Sequence, residues 1–406
     1  VKGFFGGFMR ELRDFFRLQE ESEANRIQIA FYSERDTYLQ YYEDLLAALV
    51  VRGVDTIHYI TSDPHDRMLA GERPHVQAYY IRNSLAATML RLQARVVVMT
   101  MPDLGVFHIK RSPRVASYVY AFHAVSSTHV GYRFNAFDYY DVILCVGPQN
   151  VAELRRAEEL YGRRPKRLIE CGYPRLEAVY RSYQKSAPAA EPFIMLASTW
   201  GPESALQNHA DALVEAVARI EGRCVVRPHP EFIKREPERL ARLARNIARH
   251  ANLSLDTGAT ANLEQAELLI SDGSGITLEY ALGTERPVLF LDCPMRVENP
   301  RWSELGIEPI DIGIRSELGK VIGLSELERL PAAVAELRAD AAGWRERIAA
   351  YRERTVFNWL HSADVGADVL VELAAGTPTG SAASMPACNP SGQSATINTT
   401  NHESSI

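Results

Sequence analysis

The stretch Cys224-Val225-Val226-Arg227-Pro228-His229-Pro230 holds the first side chains with evident chemistry. Its apolar start reads as the end of a buried strand, and an arginine and a histidine follow, each before a proline. A residue before proline is pushed towards extended backbone. Arg227 and His229 are therefore held out at the strand's end, where two cationic or near-cationic groups suit an anion such as a diphosphate. A second cluster, Ser271-Asp272-Gly273-Ser274-Gly275, separates an apolar run from a helical pattern that starts near Ile276. Small residues let a ligand approach the backbone, and free N–H groups at a helix start favour phosphate. The alternative is that Asp272 or Ser274 only caps the helix. His123 leaves another apolar run. As a neutral imidazole it could take a proton from an acceptor hydroxyl while the other clusters hold phosphates. A satisfied core histidine is the competing account, and His129 is a rival base. Glu279 and Glu285 flank the helix after the turn, where a carboxylate either accepts ribose hydroxyls or faces solvent.

These residues need a scaffold that brings them together. Short β-rich runs at 27–33, 56–61, 95–100, 117–122, 141–147 and 167–172 alternate with helical patterns, one of them at 37–52 with Tyr41, Leu45, Leu46 and Leu49 on one face. After a Ser/Ala/Pro linker near 184–192 the alternation restarts, with strands expected at 193–199, 224–228, 253–256, 267–272 and 287–292. Apolar runs without strict period-two alternation suit parallel strands covered on both faces. The pattern predicts an α/β protein of two doubly wound, Rossmann-like domains facing a cleft. Ligands of such sheets bind beyond the carboxyl ends of the strands. His123, Arg227, His229, Ser271, Asp272 and Ser274 all fall at such ends. So do Thr199 and Trp200, and so do Gly172, Pro174 and Arg175.

Composition sets the outer limits. A chain of 406 residues suggests about two domains. Hydrophobic content of 46%, charged content of 24% and a net charge of -6 describe an ordinary globular protein and argue against a general nucleic-acid binder. The five cysteines show no metal-type spacing, and Cys145, Cys171, Cys224 and Cys293 fall in or beside predicted strands as buried thiols. With no compact Asp/Glu/His cluster, no tightly bound metal is expected, though magnesium could arrive with a donor diphosphate. No secretory signal or apolar run long enough to span a bilayer is present, so the cytoplasm is expected. The expected domains are residues 1–24, 25–185, 186–373 and a Ser/Thr/Asn/Gly/Pro-rich tail, 374–406, too poor in large apolar residues to order itself. At the start, Phe4, Phe5, Phe8, Met9, Leu12, Phe15 and Phe16 share one helical stripe with basic residues mostly elsewhere. Such a helix lies in a membrane interface or on a partner, or simply packs on the protein body.

The motifs "FHA" at 122–124, "GYPRLE" at 172–177, "ASTWGP" at 197–202, "RPHP" at 227–230 and "SDGSGITLEYALGTERPVLFLD" at 271–292 occur in the order seen in CDP-glycerol glycerophosphotransferases, the teichoic acid polymerase family. Over about residues 95–300 the sequence resembles that family. The resemblance implies a GT-B type fold and transfer of glycerol phosphate, or a related polyol phosphate, from a CDP-activated donor to a hydroxyl of a surface-polymer or lipid-linked acceptor at the inner face of the cell membrane. It makes His123 the catalytic base and Arg227 and His229 the pyrophosphate pair, with His229 aiding the CMP leaving group. Asp272 and Ser274 become donor-phosphate contacts, with Ser271, Gly275, Glu279, Pro174, Arg175, Thr199 and Trp200 around them. The sequence departs from the family pattern at Ala124, Gly273, Gly275 and Glu279. Two other readings fit the same scaffold: a glycosyltransferase or sugar-nucleotide epimerase using a UDP- or CMP-sugar, and a non-catalytic nucleotide-binding scaffold.

Overall fold

Seven strands of the first half lie side by side: β1 (Ile29–Ser33), β2 (Ile57–Thr61), β3 (Val76–Tyr80), β4 (Ala94–Met99), β5 (Val115–Ala121), β6 (Val142–Cys145) and β7 (Arg167–Glu170). Their order is β3-β2-β1-β4-β5-β6-β7, and every pairing is parallel. Six more form a second parallel sheet: β8 (Phe193–Ala197), β9 (Arg223–Arg227), β10 (Leu253–Leu255), β11 (Ala266–Ser271), β12 (Val288–Asp292) and β13 (Gly319–Gly323), in the order β10-β9-β8-β11-β12-β13. This computed structural model describes residues 2–186, 191–258, 263–273 and 275–376. Ser274 and, of the tail expected to be disordered from 374, residues 377–406 with Cys388 lie outside the described residues; Ala374 and Ala375 instead end the last helix.

Every residue of β1 and of β8, the strands on which each sheet reverses its order, is buried. Helices cover both faces, which is why these strands read as unbroken apolar runs. Two strands were not anticipated: β3, "VQAYY", and β13, "GKVIG". Both are edge strands, and a half-open edge tolerates the polar and glycine residues that hide a strand from hydropathy. The four cysteines in the sheets and their exits are free and buried.

The two sheets belong to one compact unit spanning residues 1–375. The chain leaves the first sheet through the helix Pro174–Lys185 and returns to it at the end. The returning helix Ser362–Ala375 packs on the helix Glu43–Val51, and Arg52 ties it down through Asp364 at 3.0 Å and Asp368 at 2.5 Å. Ala367, Val369 and Leu370 enter the apolar layer under the first sheet. The return leaves no room for side chains where it crosses: a methyl on Gly172 (φ +96°) would stand 2.2 Å from the Phe357 carbonyl oxygen. Buried Glu177 receives the Ser362 amide at 3.0 Å and also its hydroxyl. Much of "GYPRLE" is therefore spent holding this crossing.

The N-terminal helix, Lys2–Glu23, packs through a polar face. Buried Glu11 accepts the Arg82 and Ser84 amides at 3.0 and 2.8 Å, and buried Asp14 accepts the Tyr80 amide at 3.1 Å. Leu18 and Phe15 add apolar contact, whereas Phe8, Met9, Leu12 and Phe16 stay exposed, at 40–61%. The stripe thus divides: of its described side chains, Phe15 turns to the body and the other four face away, while the side chains of Phe4 and Phe5 lie outside the described ones. Glu11 meets the chain just past the carboxyl end of β3, and Ser22 accepts the amide of Gln93 just before β4. The helix therefore runs antiparallel to the strands, and residues before Glu11 continue on the carboxyl-end side. Among the described residues no helix is long and apolar enough to cross a membrane.

Candidate active site

The carboxyl ends of the two sheets face a cavity of about 430 Å³, within the usual range for a small-molecule site. First-sheet residues on its wall include His123, Ala124, Tyr132 and Arg133. The second sheet contributes Thr199, Trp200, His229, Asp272, Gly273 and Gly275, followed by Arg296, Asp311 and Arg315. In the second sheet the order reverses between β8 and β11, and the loops after those two strands carry Thr199-Trp200 and Asp272–Gly275. That is the switch point where doubly wound sheets bind ligands.

His123 stands two residues past β5, partly buried, with Nδ1 3.2 Å from the Tyr120 hydroxyl. The rings of Tyr38, Tyr41 and Tyr132 surround it edge-on at 5.9–6.0 Å. Burial in this aromatic box pushes its pKa down to about 4, with the Thr100 carbonyl acting weakly against the shift. The imidazole is neutral at physiological pH. Directly across the cleft, a methyl built on Gly275 would lie 3.9 Å from the Ala124 Cβ. The first-sheet wall next to His123 and the start of the helix Ile276–Thr284 therefore face each other. His129 is placed differently. It is buried away from the cavity lining, with Nδ1 3.3 Å from Glu153 and Nε2 3.2 Å from the Ile307 carbonyl.

His229 opens the short helix Pro230–Arg235, and its Nδ1 accepts the Glu231 amide at 3.1 Å. That bond requires a lone pair on Nδ1, so a neutral His229 carries its proton on Nε2, ready to be donated. Burial lowers its pKa and favours the neutral form. Its ring tilts against Trp200 at 6.2 Å, and the guanidiniums of Arg235 and Arg296 lie over the same indole at 5.1 and 4.8 Å.

Several expected residues stand elsewhere. Arg227 ends β9, whose outer neighbour is β10, and its side chain turns to that side: Nη1 meets Asp256 at 2.5 Å and Nη2 the Gly258 carbonyl at 3.0 Å. It does not line the cavity. Asp272 is on the wall, but both its oxygens are occupied by the Ser198 hydroxyl at 2.5 Å and the Thr199 and Ala205 amides at 2.7 and 2.8 Å. It fastens the loop after β8 to the turn after β11, and three donors already share its two oxygens. Ser271 is fully buried and accepts the Thr277 hydroxyl. Glu279 accepts the Tyr173 hydroxyl at 2.8 Å and lies 3.7 Å from Arg175. Its burial raises its pKa, and Arg175 offsets part of that rise. With Pro174 starting its helix beside them, Tyr173 and Arg175 join the halves away from the cavity lining. Glu285 pairs with Arg352 at 2.8 Å.

Among the wall residues that sequence reasoning missed are Tyr132, Arg133, Arg296, Asp311 and Arg315. Asp311 accepts the Ser127 amide at 3.2 Å across the two halves, and burial raises its pKa. Among the described residues no group of three or more His, Cys, Asp or Glu side chains is placed to hold a metal ion.

No family model matches the sequence, and no curated protein does. Solved structures do match in shape. The wall teichoic acid polymerase TagF is 12% identical with a TM-score of 0.55, over 92% of this chain and 98% of that one. A putative UDP-N-acetylglucosamine 2-epimerase from Listeria monocytogenes is 15% identical with a TM-score of 0.52, over 85% and 94%. The UDP-GlcNAc 2-epimerase from Neisseria meningitidis, bound to UDP-GlcNAc, is 12% identical with a TM-score of 0.51, over 85% and 98%. At these identities the likeness is one of fold. The chain has the GT-B type architecture of two parallel, Rossmann-like sheets.

Proposed function

We propose that this protein is a GT-B type transferase that moves glycerol phosphate, or a related polyol phosphate, from a CDP-activated donor to an acceptor hydroxyl of a surface polymer. The observation that carries the reading is the opposition, across one cavity, of neutral His123 on the first-sheet wall and His229 with the helix start at Gly275 on the second. In the tautomer that suits the reaction, His123 Nδ1–H donates to the Tyr120 oxygen and Nε2 keeps its lone pair. The acceptor oxygen attacks the phosphorus that bears the polyol, and its proton passes to His123 Nε2. The bond from that phosphorus to CMP breaks, the electron pair leaves with CMP, and His229 Nε2–H donates a hydrogen bond to the developing charge. Magnesium, in this reading, enters with the donor diphosphate.

The same reading places the enzyme on the inner face of the cell membrane. The exposed residues Phe8, Met9, Leu12 and Phe16 enter the interface of an anionic bilayer, and Arg13, exposed beside Asp14, meets its headgroups. Because the helix continues on the carboxyl-end side, docking brings the cleft towards the lipid surface and a lipid-linked acceptor. Wild type should co-sediment with vesicles containing phosphatidylglycerol, and a Phe8→Glu/Phe16→Glu variant should not. Wild type left in the supernatant would remove the membrane part of the reading.

The decisive assay is CMP release from CDP-glycerol with a polyol-phosphate primer, run beside UDP-GlcNAc. Turnover of CDP-glycerol that His123→Ala reduces by about a hundredfold or more supports phosphotransfer. Turnover of the sugar nucleotide alone would make the protein a glycosyltransferase or epimerase. Binding without turnover of either would leave a nucleotide-binding scaffold.

A further inference from the structure

Because Arg227 is turned to Asp256, the cation that meets a donor's phosphates must come from another element. Three arginines line the cavity. Arg133 and Arg296 are about half exposed and committed to Asp103 and Glu298, with their guanidiniums over Phe107 and Trp200. Arg315 is different, with a side chain only 8% exposed. Its Nε donates to the Asp311 carbonyl at 3.0 Å, and Nη1 donates to Asp292 at 3.1 Å. Nη2 has no hydrogen-bond partner among the described residues. It is directed at the turn that opens the helix Ile276–Thr284: a methyl on Gly273 would sit 3.6 Å from it. Gly273 has φ +93°, a conformation costly for any residue with a Cβ, so the approach to Nη2 stays open.

The surrounding charges favour an anion there. Asp272, the nearest carboxylate in the turn, spends both oxygens on three donors. Asp292 is 63% exposed, so solvent screens its hold on the guanidinium. Asp311 takes the Ser127 amide, and its carboxyl is harder to ionise because it is buried. The helix of nine residues that starts at Ile276 adds unpaired backbone N–H groups on the same side.

We infer that Arg315 Nη2 and the opening N–H groups of the helix Ile276–Thr284 form the site that grips a phosphate oxygen of the donor. The class of that donor, a nucleoside diphosphate ester, rests on the function proposed above; the anion site itself does not. The test titrates inorganic pyrophosphate into the full chain at constant ionic strength, by calorimetry and by thermal shift. Wild type should bind and be stabilised. Arg315→Ala should bind at least about tenfold more weakly, as expected for losing a charge-assisted hydrogen bond, with Arg315→Lys in between. Asp292→Asn, which alters only the solvent-side partner, should stay within about threefold of wild type. If Arg315→Ala does not fold, Arg315→Gln keeps the side chain's bulk and removes its charge, with the same loss expected. The inference is overturned if wild type ignores pyrophosphate, if the Arg315 variants bind it as wild type does, or if Asp292→Asn loses as much as they do. Arg315-dependent pyrophosphate binding without CDP-glycerol turnover would keep this site and discard the phosphotransfer reading. Turnover with pyrophosphate binding that ignores Arg315 would do the reverse.

Discussion

If His123 is the base, the acid limb of the reaction should lie far below the ordinary range for histidine. A free imidazole titrates near 6.5, whereas burial among Tyr38, Tyr41 and Tyr132 pushes His123 down to about 4. At pH 6.5 an ordinary histidine is half protonated, but one with a pKa near 4 is protonated in only about one molecule in 300. A pH profile of kcat/KM reports the free enzyme's groups. CMP release from CDP-glycerol should therefore stay flat from pH 7 down to about 5 and fall only as pH nears 4. His123→Gln should lower the plateau by about a hundredfold or more and abolish the limb. Stability must be followed in parallel, since the same shift acts on folding. Below pH 6.5 the unfolded chain binds a proton at this position that the folded chain refuses. Stability therefore falls as pH drops from 6.5 towards 4, by at most about 3 kcal/mol for this one group. Circular dichroism at each pH separates that loss from the titration of the base. A kinetic limb near 6.5 in fully folded enzyme, or a His123→Gln variant within tenfold of wild type, would refute the assignment.

Three further outcomes can be checked. His58, fully buried under the N-terminal helix and lowered to about 4 by burial, adds a second acid-sensitive term with the same sign, so His58→Phe should flatten the fall of Tm between pH 6.5 and 4. Asp272→Asn breaks the clasp between the loops after β8 and β11. It should cost about 3 kcal/mol in urea unfolding and raise the donor KM more than it lowers kcat. Arg227→Ala should leave pyrophosphate affinity within about threefold while lowering Tm; a loss as large as that of Arg315→Ala would show that Arg227 leaves Asp256 to meet the ligand.

The strand-helix alternation gave away two parallel sheets because central strands such as β1 and β8 are buried on both faces and must be apolar throughout. Edge strands β3 and β13 lack that constraint and were invisible to the same reasoning. Of the candidates placed at strand ends, His123, Thr199, Trp200, His229, Asp272 and Gly275 stand on the cavity wall. Direction was harder to read than position. Arg227 is at the right end of β9, yet which neighbouring strand its side chain turns to depends on the strand order, and no local pattern encodes that. The polar residues of "GYPRLE" look equally functional in one dimension, but their partners are Ser362 and Glu279, far along the chain. Arg315 had no signal at all. It begins a four-residue helix in an undistinguished segment and gains meaning only when β12 and β13 bring it back beside the turn at Gly273.

The return of the last helix to the first sheet bears on how the chain is made. Residues 29–170 supply all seven strands of that sheet, but the layer beneath them is closed by Ala367, Val369 and Leu370. During synthesis the first half therefore emerges with an apolar strip open on one side. It stays so while nearly two hundred more residues are added, at about 5–20 residues per second. The second half, contiguous from β8 to β13, can settle first, although it is translated later. A chaperone that shelters exposed apolar surface should meet this protein on the helix Glu43–Val51, and a nascent chain ending before Ser362 should be held by it longest.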